Sequence, residues 1–256
     1  MNRLSHTFAA LQREGRKGLV GYLTAGDPDL ETSERDIRTA LEGGVDVLEL
    51  GVPFSDPTAD GPTIQQATHR ALAGGMTLRK TLDLAARIRQ DCETPIVLFG
   101  YTNPFFRYGY ERLCSDAARA GVDGMLVVDL PFGGTDELRE HLARHGLCPI
   151  PLIAPTTPAE RAAAILRRAE GFVYYIMVRG VTGARQTVAS DLEEHIRTLR
   201  ACTDLPIAVG FGVSDGEQAR TAAADADAVV VGSALVRAAR EGRLAALVAE
   251  LRAALG

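Results

Sequence analysis

Residues 48–62 read LELGVPFSDPTADGP. The stretch begins as an apolar strand and breaks into a loop of prolines, glycine and acids. Glu49 stands between Leu48 and Leu50, where a strand buried on both faces would carry another apolar residue. Successive strand side chains point to opposite faces. With Leu48 and Leu50 packed outward against helices, Glu49 points inward. Two more carboxylates, Asp56 and Asp60, follow in the loop. A strand ending in an inward carboxylate fits a parallel α/β barrel, whose chemistry sits at the C-terminal strand ends and in the loops after them.

Eight short apolar runs recur along the chain: GLVGYL (18–23), VDVLEL (45–50), PIVLFG (95–100), DGMLVVD (123–129), CPIPLI (148–153), FVYYIM (172–177), LPIAVG (205–210) and DAVVVG (227–232). Each has the length and branched apolar content of a doubly buried strand. Between them lie helical patterns over 29–43, 62–73, 77–91, 109–120, 135–145, 158–169, 190–200 and 214–224, with a last helix over 243–255. Hydroxyl or proline starts and glycine stops punctuate them. An amphipathic N-terminal helix presents Leu4, Phe8 and Leu11 on one face. Strict β/α alternation implies right-handed crossovers and a parallel sheet. Eight units over 256 residues favour a single (β/α)8 barrel spanning 1–256, barrels of about 250 residues being common. An open doubly wound sheet is second, because TAGDPD, not a GxGxxG turn, follows the first strand.

A net charge of −5 with no Lys/Arg block argues against nucleic-acid or anionic-membrane partners. No apolar run approaches the roughly 20 residues that span a bilayer, and the N-terminus lacks the apolar core of a signal peptide. Cys92, Cys114, Cys148 and Cys202 are too scattered for a zinc site and read as reduced cytoplasmic thiols. His141 and His145 share a helix face, without the HExxH arrangement of a metal pair.

The barrel rule turns strand ends into a list of candidate residues: Tyr22 and Thr24, Glu49 with Asp60, Tyr101 and Asn103, Asp129, Tyr174 and Tyr175, Phe211 with Gly212, and Gly232 with Ser233. Burial of Glu49 without a cation would raise its pKa, as suits a general acid or base. Asp56, Asp60 and Asp129 read equally well as turn formers or helix caps. Glycine loops GVTGAR (180–185), GFGVSD (210–215) and VVVGSAL (229–235) follow three consecutive strands. They let backbone N–H groups approach an anion, which makes Gly212, Gly232 and Ser233 phosphate candidates.

The stretch LELGVPFSDPTADGPTIQ (48–65) closely resembles the signature of the tryptophan synthase α subunit family. The likeness continues through YLTAGDP (22–28), Tyr101 with Asn103-Pro104, GVDGMLVVDLP (121–131), IAPTTP (153–158), GVTGA (180–184), VGFGVS (209–214) and VVGSALV (230–236). The resemblance implies a barrel lyase that cleaves indole-3-glycerol phosphate to indole and glyceraldehyde 3-phosphate, with Glu49 and Asp60 as the catalytic pair. It implies an indole pocket walled by Tyr22, Ile64, Phe99, Leu126, Val128, Phe211 and Val230, with Tyr101, Asp129 and Tyr174 as polar neighbours. It places the phosphate at Gly183, Ala184, Gly212, Val213, Gly232 and Ser233, and makes Thr182 the threonine of a closing loop. It also implies docking on a β subunit in an α2β2 assembly, partly through the 53–60 loop. No cofactor is implied in this chain, pyridoxal phosphate belonging to the partner.

One segment departs from the family's pattern. Met177-Val178-Arg179 precede GVTG, with methionine at the usual serine, so a hydrogen bond is lost and a charge added near the phosphate loop. Three other readings remain: a free-standing lyase releasing indole, a non-catalytic activator of a β subunit, and a barrel acting on another sugar phosphate.

Overall fold

Each apolar run forms parallel strand, and one run is broken in two. The computed structural model describes residues 2–130, 136–176, 185–210 and 212–256, without the side chains of 185–191. Its strands are β1 (Gly18–Thr24), β2 (Val47–Gly51), β3 (Ile96–Gly100), β4 (Gly124–Val127), β5 (Cys148–Pro149), β6 (Leu152–Ile153), β7 (Val173–Ile176), β8 (Ile207–Gly210) and β9 (Ala228–Val231). They lie in one sheet in the order β5-β4-β3-β2-β1-β9-β8-β7-β6. The expected fifth strand, 148–153, is thus two dipeptides. Pro149 and Pro151 lack the N–H that a continuous ladder needs. The Ile150 N–H still donates to Met125 O, and Pro151 O accepts from Tyr174 N–H, both at 2.9 Å. One segment therefore bonds both ends of the sheet, and the barrel closes.

Two shells of side chains follow from the alternation. Leu48 and Leu50 join the outer core between strands and helices. Val20, Val47, Val97, Leu126, Ile150, Tyr174, Ala208, Ala228 and Val230 form the inner core. The helix Arg3–Glu14 plugs the barrel's N-terminal end, with Leu4, Phe8 and Leu11 in that inner cluster and Phe8 tilted against Phe172 at 5.5 Å. A plugged floor leaves the C-terminal end as the open mouth.

Three aspartates brace that floor. Oδ2 of Asp46, Asp123 and Asp227 accepts the N–H of Leu19, Ile96 and Ile207 at 2.8, 2.8 and 2.7 Å. Each aspartate's own N–H donates to the carbonyl of the same residue, at 2.9, 2.8 and 2.9 Å. Arg252, Arg89 and Arg200 pair with the three carboxylates. Each aspartate thus ties the strand it opens to the preceding one in the chain.

Most expected helices form within a residue or two of their sequence limits. The helix expected from 190 begins earlier, over Arg185–Arg200. Two helices add to the expectation. Thr102–Tyr108 and Ser233–Arg240 are each a turn or two long, too short for a clear apolar period. His141 and His145 both contact Glu111, at 2.7 and 3.1 Å, and Arg144 pairs with the same carboxylate. Among the described residues no group of three or more His, Cys, Asp or Glu could hold a metal.

Candidate active site

The barrel mouth gathers the carboxylates that the sequence singles out. Glu49 is fully buried on β2, and among the described residues neither carboxylate oxygen has a hydrogen-bond partner. Burial alone pushes its pKa up to about 8. At neutral pH the group is therefore a neutral acid with a proton to give.

Asp60 sits half-buried in the loop after β2 and has a different environment. Tyr101, just after β3, donates its phenol to Asp60 Oδ2 at 2.9 Å, and the phenol oxygen accepts the Ala59 N–H at 3.1 Å. Burial raises Asp60 to about 6 against the lowering pull of that hydrogen bond. Asp60 is thus mostly ionised at pH 7, where Glu49 is mostly protonated. Two carboxyls pushed to opposite protonation states by their surroundings are a mark of acid–base chemistry.

Three phenols surround the pair. Tyr22 is the Cα register partner of Glu49 across β1 and β2. Its ring meets Phe99 edge-on at 5.1 Å, and its hydroxyl lies 3.2 Å from Thr24 Oγ1. Burial, then Asp60 and Glu49 among nearby charges, raises the Tyr22 pKa. Burial, then Glu49 and Asp60, raises that of Tyr174. Tyr101 is raised by burial and by Asp60. The carboxylates and phenols therefore share one electrostatic neighbourhood at the mouth.

The apolar candidates converge as well. Leu126, Tyr174 and Val230 belong to the inner core, with Phe99 and Val128 packed against it. A Cβ placed on Gly232 would lie 3.5 Å from Tyr22 Cβ and 3.7 Å from Ile64 Cδ1, so these three residues adjoin. Asp129 is drawn elsewhere: Oδ1 accepts Thr102 N–H at 2.7 Å and the Thr102 hydroxyl at 2.9 Å, tying down the start of helix Thr102–Tyr108. Asp56 is exposed and accepts from its neighbour Ser55 at 2.5 Å.

At the phosphate candidates, Gly232 is the N-cap of helix Ser233–Arg240 and has no side chain with which to cap its first turn. Its N–H groups are a natural anion seat. Gly212 adopts φ +65°, a left-handed conformation that favours glycine. The Val213 side chain is buried in the outer core, so only its backbone could meet an anion. The next helix, Gly216–Ala223, is already capped by Asp215. Thr182, Gly183, Ala184, Phe211 and the Met177-Val178-Arg179 departure lie outside the described residues.

Sequence reading missed three contributors. A Cβ on Gly51 would lie 2.2 Å from the Tyr22 hydroxyl, and one on Gly210 would lie 3.0 Å from that of Tyr174. The two glycines make room for the phenols. Period-2 alternation already put Gly51 on the face of Glu49, which was the available signal. Gln65 Nε2 donates to Asp60 O at 2.9 Å, holding the loop from the helix that follows it.

The chain is similar to known proteins along nearly its whole length. The family model described as tryptophan synthase alpha chain matches residues 8–253. A tryptophan synthase alpha chain from Geobacter sulfurreducens is 49% identical, with all of both chains covered. Another from Citrifermentans bemidjiense is 52% identical over 93% of this chain and 89% of its own length. A solved structure of tryptophan synthase from M. tuberculosis superposes with a TM-score of 0.92 at 37% identity, covering 99% of this chain and 98% of that one.

Proposed function

The chain belongs to the tryptophan synthase alpha chain family, whose reaction is cleavage of indole-3-glycerol phosphate to indole and glyceraldehyde 3-phosphate, and from that premise we propose that Glu49 and Asp60 carry the chemistry. The observation that carries this reading is the contrast between the two groups: Glu49 is fully buried with no hydrogen-bond partner among the described residues, whereas Asp60 is half-buried and accepts from Tyr101, so that burial pushes Glu49 up to about 8 and Asp60 only to about 6.

The bond changes follow from that contrast. The Glu49 carboxyl gives its proton to C3 of the indole ring, and the ring nitrogen becomes cationic. Asp60, held by Tyr101 through Oδ2, accepts the ring N–H and offsets the developing charge. The Glu49 carboxylate then takes the proton of the hydroxyl on the carbon attached to C3. The O–H electron pair forms the aldehyde C=O as the C3–carbon bond breaks. The pair from that bond returns to the ring, and Glu49 ends protonated as it began. Tyr22, Ile64, Phe99, Leu126, Val128, Tyr174, Phe211 and Val230 form the indole pocket. Gly212, Val213, Gly232 and Ser233 hold the phosphate through backbone N–H groups and the Ser233 hydroxyl, with Gly183 and Ala184 completing the seat. Thr182 belongs to the loop that closes over it.

In this reading the chain docks on a β subunit with the 53–60 loop at the contact, in an α2β2 assembly whose pyridoxal phosphate belongs to β. The four cysteines are free thiols, and among the described residues no helix is long and apolar enough to cross a membrane. Both fit a cytoplasmic enzyme. Indole release by the purified chain tests the reading. Glu49→Gln should abolish release while glycerol phosphate still binds, and appreciable turnover by that variant would sink the assignment. Mixing with a β subunit should raise the rate; an unchanged rate would favour a free-standing lyase.

A further inference from the structure

We infer that the Tyr22 hydroxyl, backed by Thr24, is the donor that receives the Glu49 carboxylate each time Glu49 gives up its proton. The inference rests on the acid–base role proposed for Glu49. A turnover in which Glu49 releases and regains a proton passes through a buried carboxylate, which is costly unless a donor meets it. Among the described residues neither Glu49 oxygen has one at rest.

Among the described residues, two titratable side chains sense the Glu49 charge, Tyr22 on β1 and Tyr174 on β7, and Tyr101 just after β3 and Asp60 in the loop after β2 share the same mouth. Asp60 repels a second carboxylate. Tyr101 is committed to Asp60. Tyr174 stands over Gly210, four strands from β2 in the sheet order. Tyr22 is on the adjacent strand and in register with Glu49. Its ring crosses to β2, where the hydroxyl occupies the space a Gly51 side chain would fill. Gly51 is two residues beyond Glu49 on the same face, so the hydroxyl stands one pleat above the carboxylate.

Thr24 explains why this hydroxyl is free to turn. The 3.2 Å contact is longer than the roughly 2.7–2.8 Å usual between hydroxyls. If Thr24 donates, the phenol oxygen is satisfied and its proton can point at Glu49. Burial and the nearby carboxylates keep the phenol protonated, a donor and not a competing acid. Tyr22 is then a positioning residue that acts through Glu49, beyond its service as pocket wall.

The test is the pH profile of kcat/KM for indole release by the full chain, for wild type, Tyr22→Phe, Thr24→Val, Tyr174→Phe and Glu49→Gln. Tyr22→Phe keeps the ring against Phe99 and removes only the hydroxyl. It should lower kcat about tenfold, leave KM nearly unchanged and move the alkaline limb to higher pH by about one unit. Thr24→Val should move the limb the same way by less. A Tyr22→Phe profile that superimposes on wild type overturns the inference. So does a change confined to KM, which would make the hydroxyl a substrate contact, and so does a limb that moves only in Tyr174→Phe. Turnover by Glu49→Gln would instead defeat the acid–base reading itself, so the two failures are distinguishable.

Discussion

Tyr101 and Asp60 are joined through phenol and carboxylate Oδ2 at 2.9 Å, and the same phenol oxygen accepts the Ala59 N–H. The tyrosine thereby fixes both the carboxylate and the loop that carries it, and it pulls the Asp60 pKa down against burial. Tyr101→Phe removes that pull, so the Asp60 pKa rises above about 6. Activity should fall several-fold at pH 6 and converge toward wild type near pH 8, and a pH–rate profile checks this.

The wild-type profile itself should be a bell. The acid limb near 6 is Asp60 gaining its proton, and the alkaline limb near 8 is Glu49 losing one. Asp60→Asn should lower kcat on the order of a hundredfold and abolish the acid limb, leaving the alkaline one. An acid limb that persists in that variant would assign it to another group.

Glu49 also makes a stability prediction. Its folded pKa of about 8 lies above its ordinary value of 4.5. Between those values the native state holds a proton that the unfolded chain has lost. Stability therefore falls as pH rises through that window. Glu49→Gln does not titrate, so its stability relative to wild type should increase between pH 5 and pH 8 by a few kcal/mol, at about 1.4 kcal/mol per pKa unit. Urea unfolding at the two pH values measures the difference. An unchanged difference would show that the carboxyl is not raised.

Gly51→Ala puts a methyl group where the Tyr22 hydroxyl stands. The ring must move, and with it the pocket edge beside Glu49. The variant should remain folded by circular dichroism, because the change faces the mouth and not the outer core. Its kcat/KM for indole release should drop at least about tenfold, the cost of misplacing groups around a reacting centre.

Asp123 lies at the other end of the barrel and should separate stability from chemistry. It accepts from Ile96 N–H, Arg89 and Arg3 at 2.8, 2.9 and 3.2 Å. Asp123→Ala takes the carboxylate from the half-buried Arg89 and from a buried backbone donor, and should cost about 1–3 kcal/mol in urea unfolding. Turnover below the unfolding transition should be nearly unchanged, since the floor holds no reacting group.

The fold was largely legible because its signals are local. Leu48, Glu49 and Leu50 sort to outer shell, mouth and outer shell by strand alternation alone. Eight apolar runs separated by helical periods leave few topologies besides a barrel. The departures also have local causes. Prolines at 149 and 151 break one strand, and helix Thr102–Tyr108 hides behind an Asn-Pro turn signal.

The site was less legible because its properties belong to groups far apart in the chain. By itself the sequence determined that Glu49 faces inward at a strand end, since a residue's face follows from its neighbours one position away. Local rules could not say whether Asp60 caps a helix or serves a site, a choice only the family resemblance made, nor that Asp129 would be spent on Thr102. Those outcomes depend on which donors arrive from other strands. Tertiary structure alone brought Tyr101 to Asp60 across 41 positions and left Glu49 with no donor among the described residues. Desolvation and hydrogen bonding set a carboxyl's pKa, and both are decided by what packs around it once the barrel has closed.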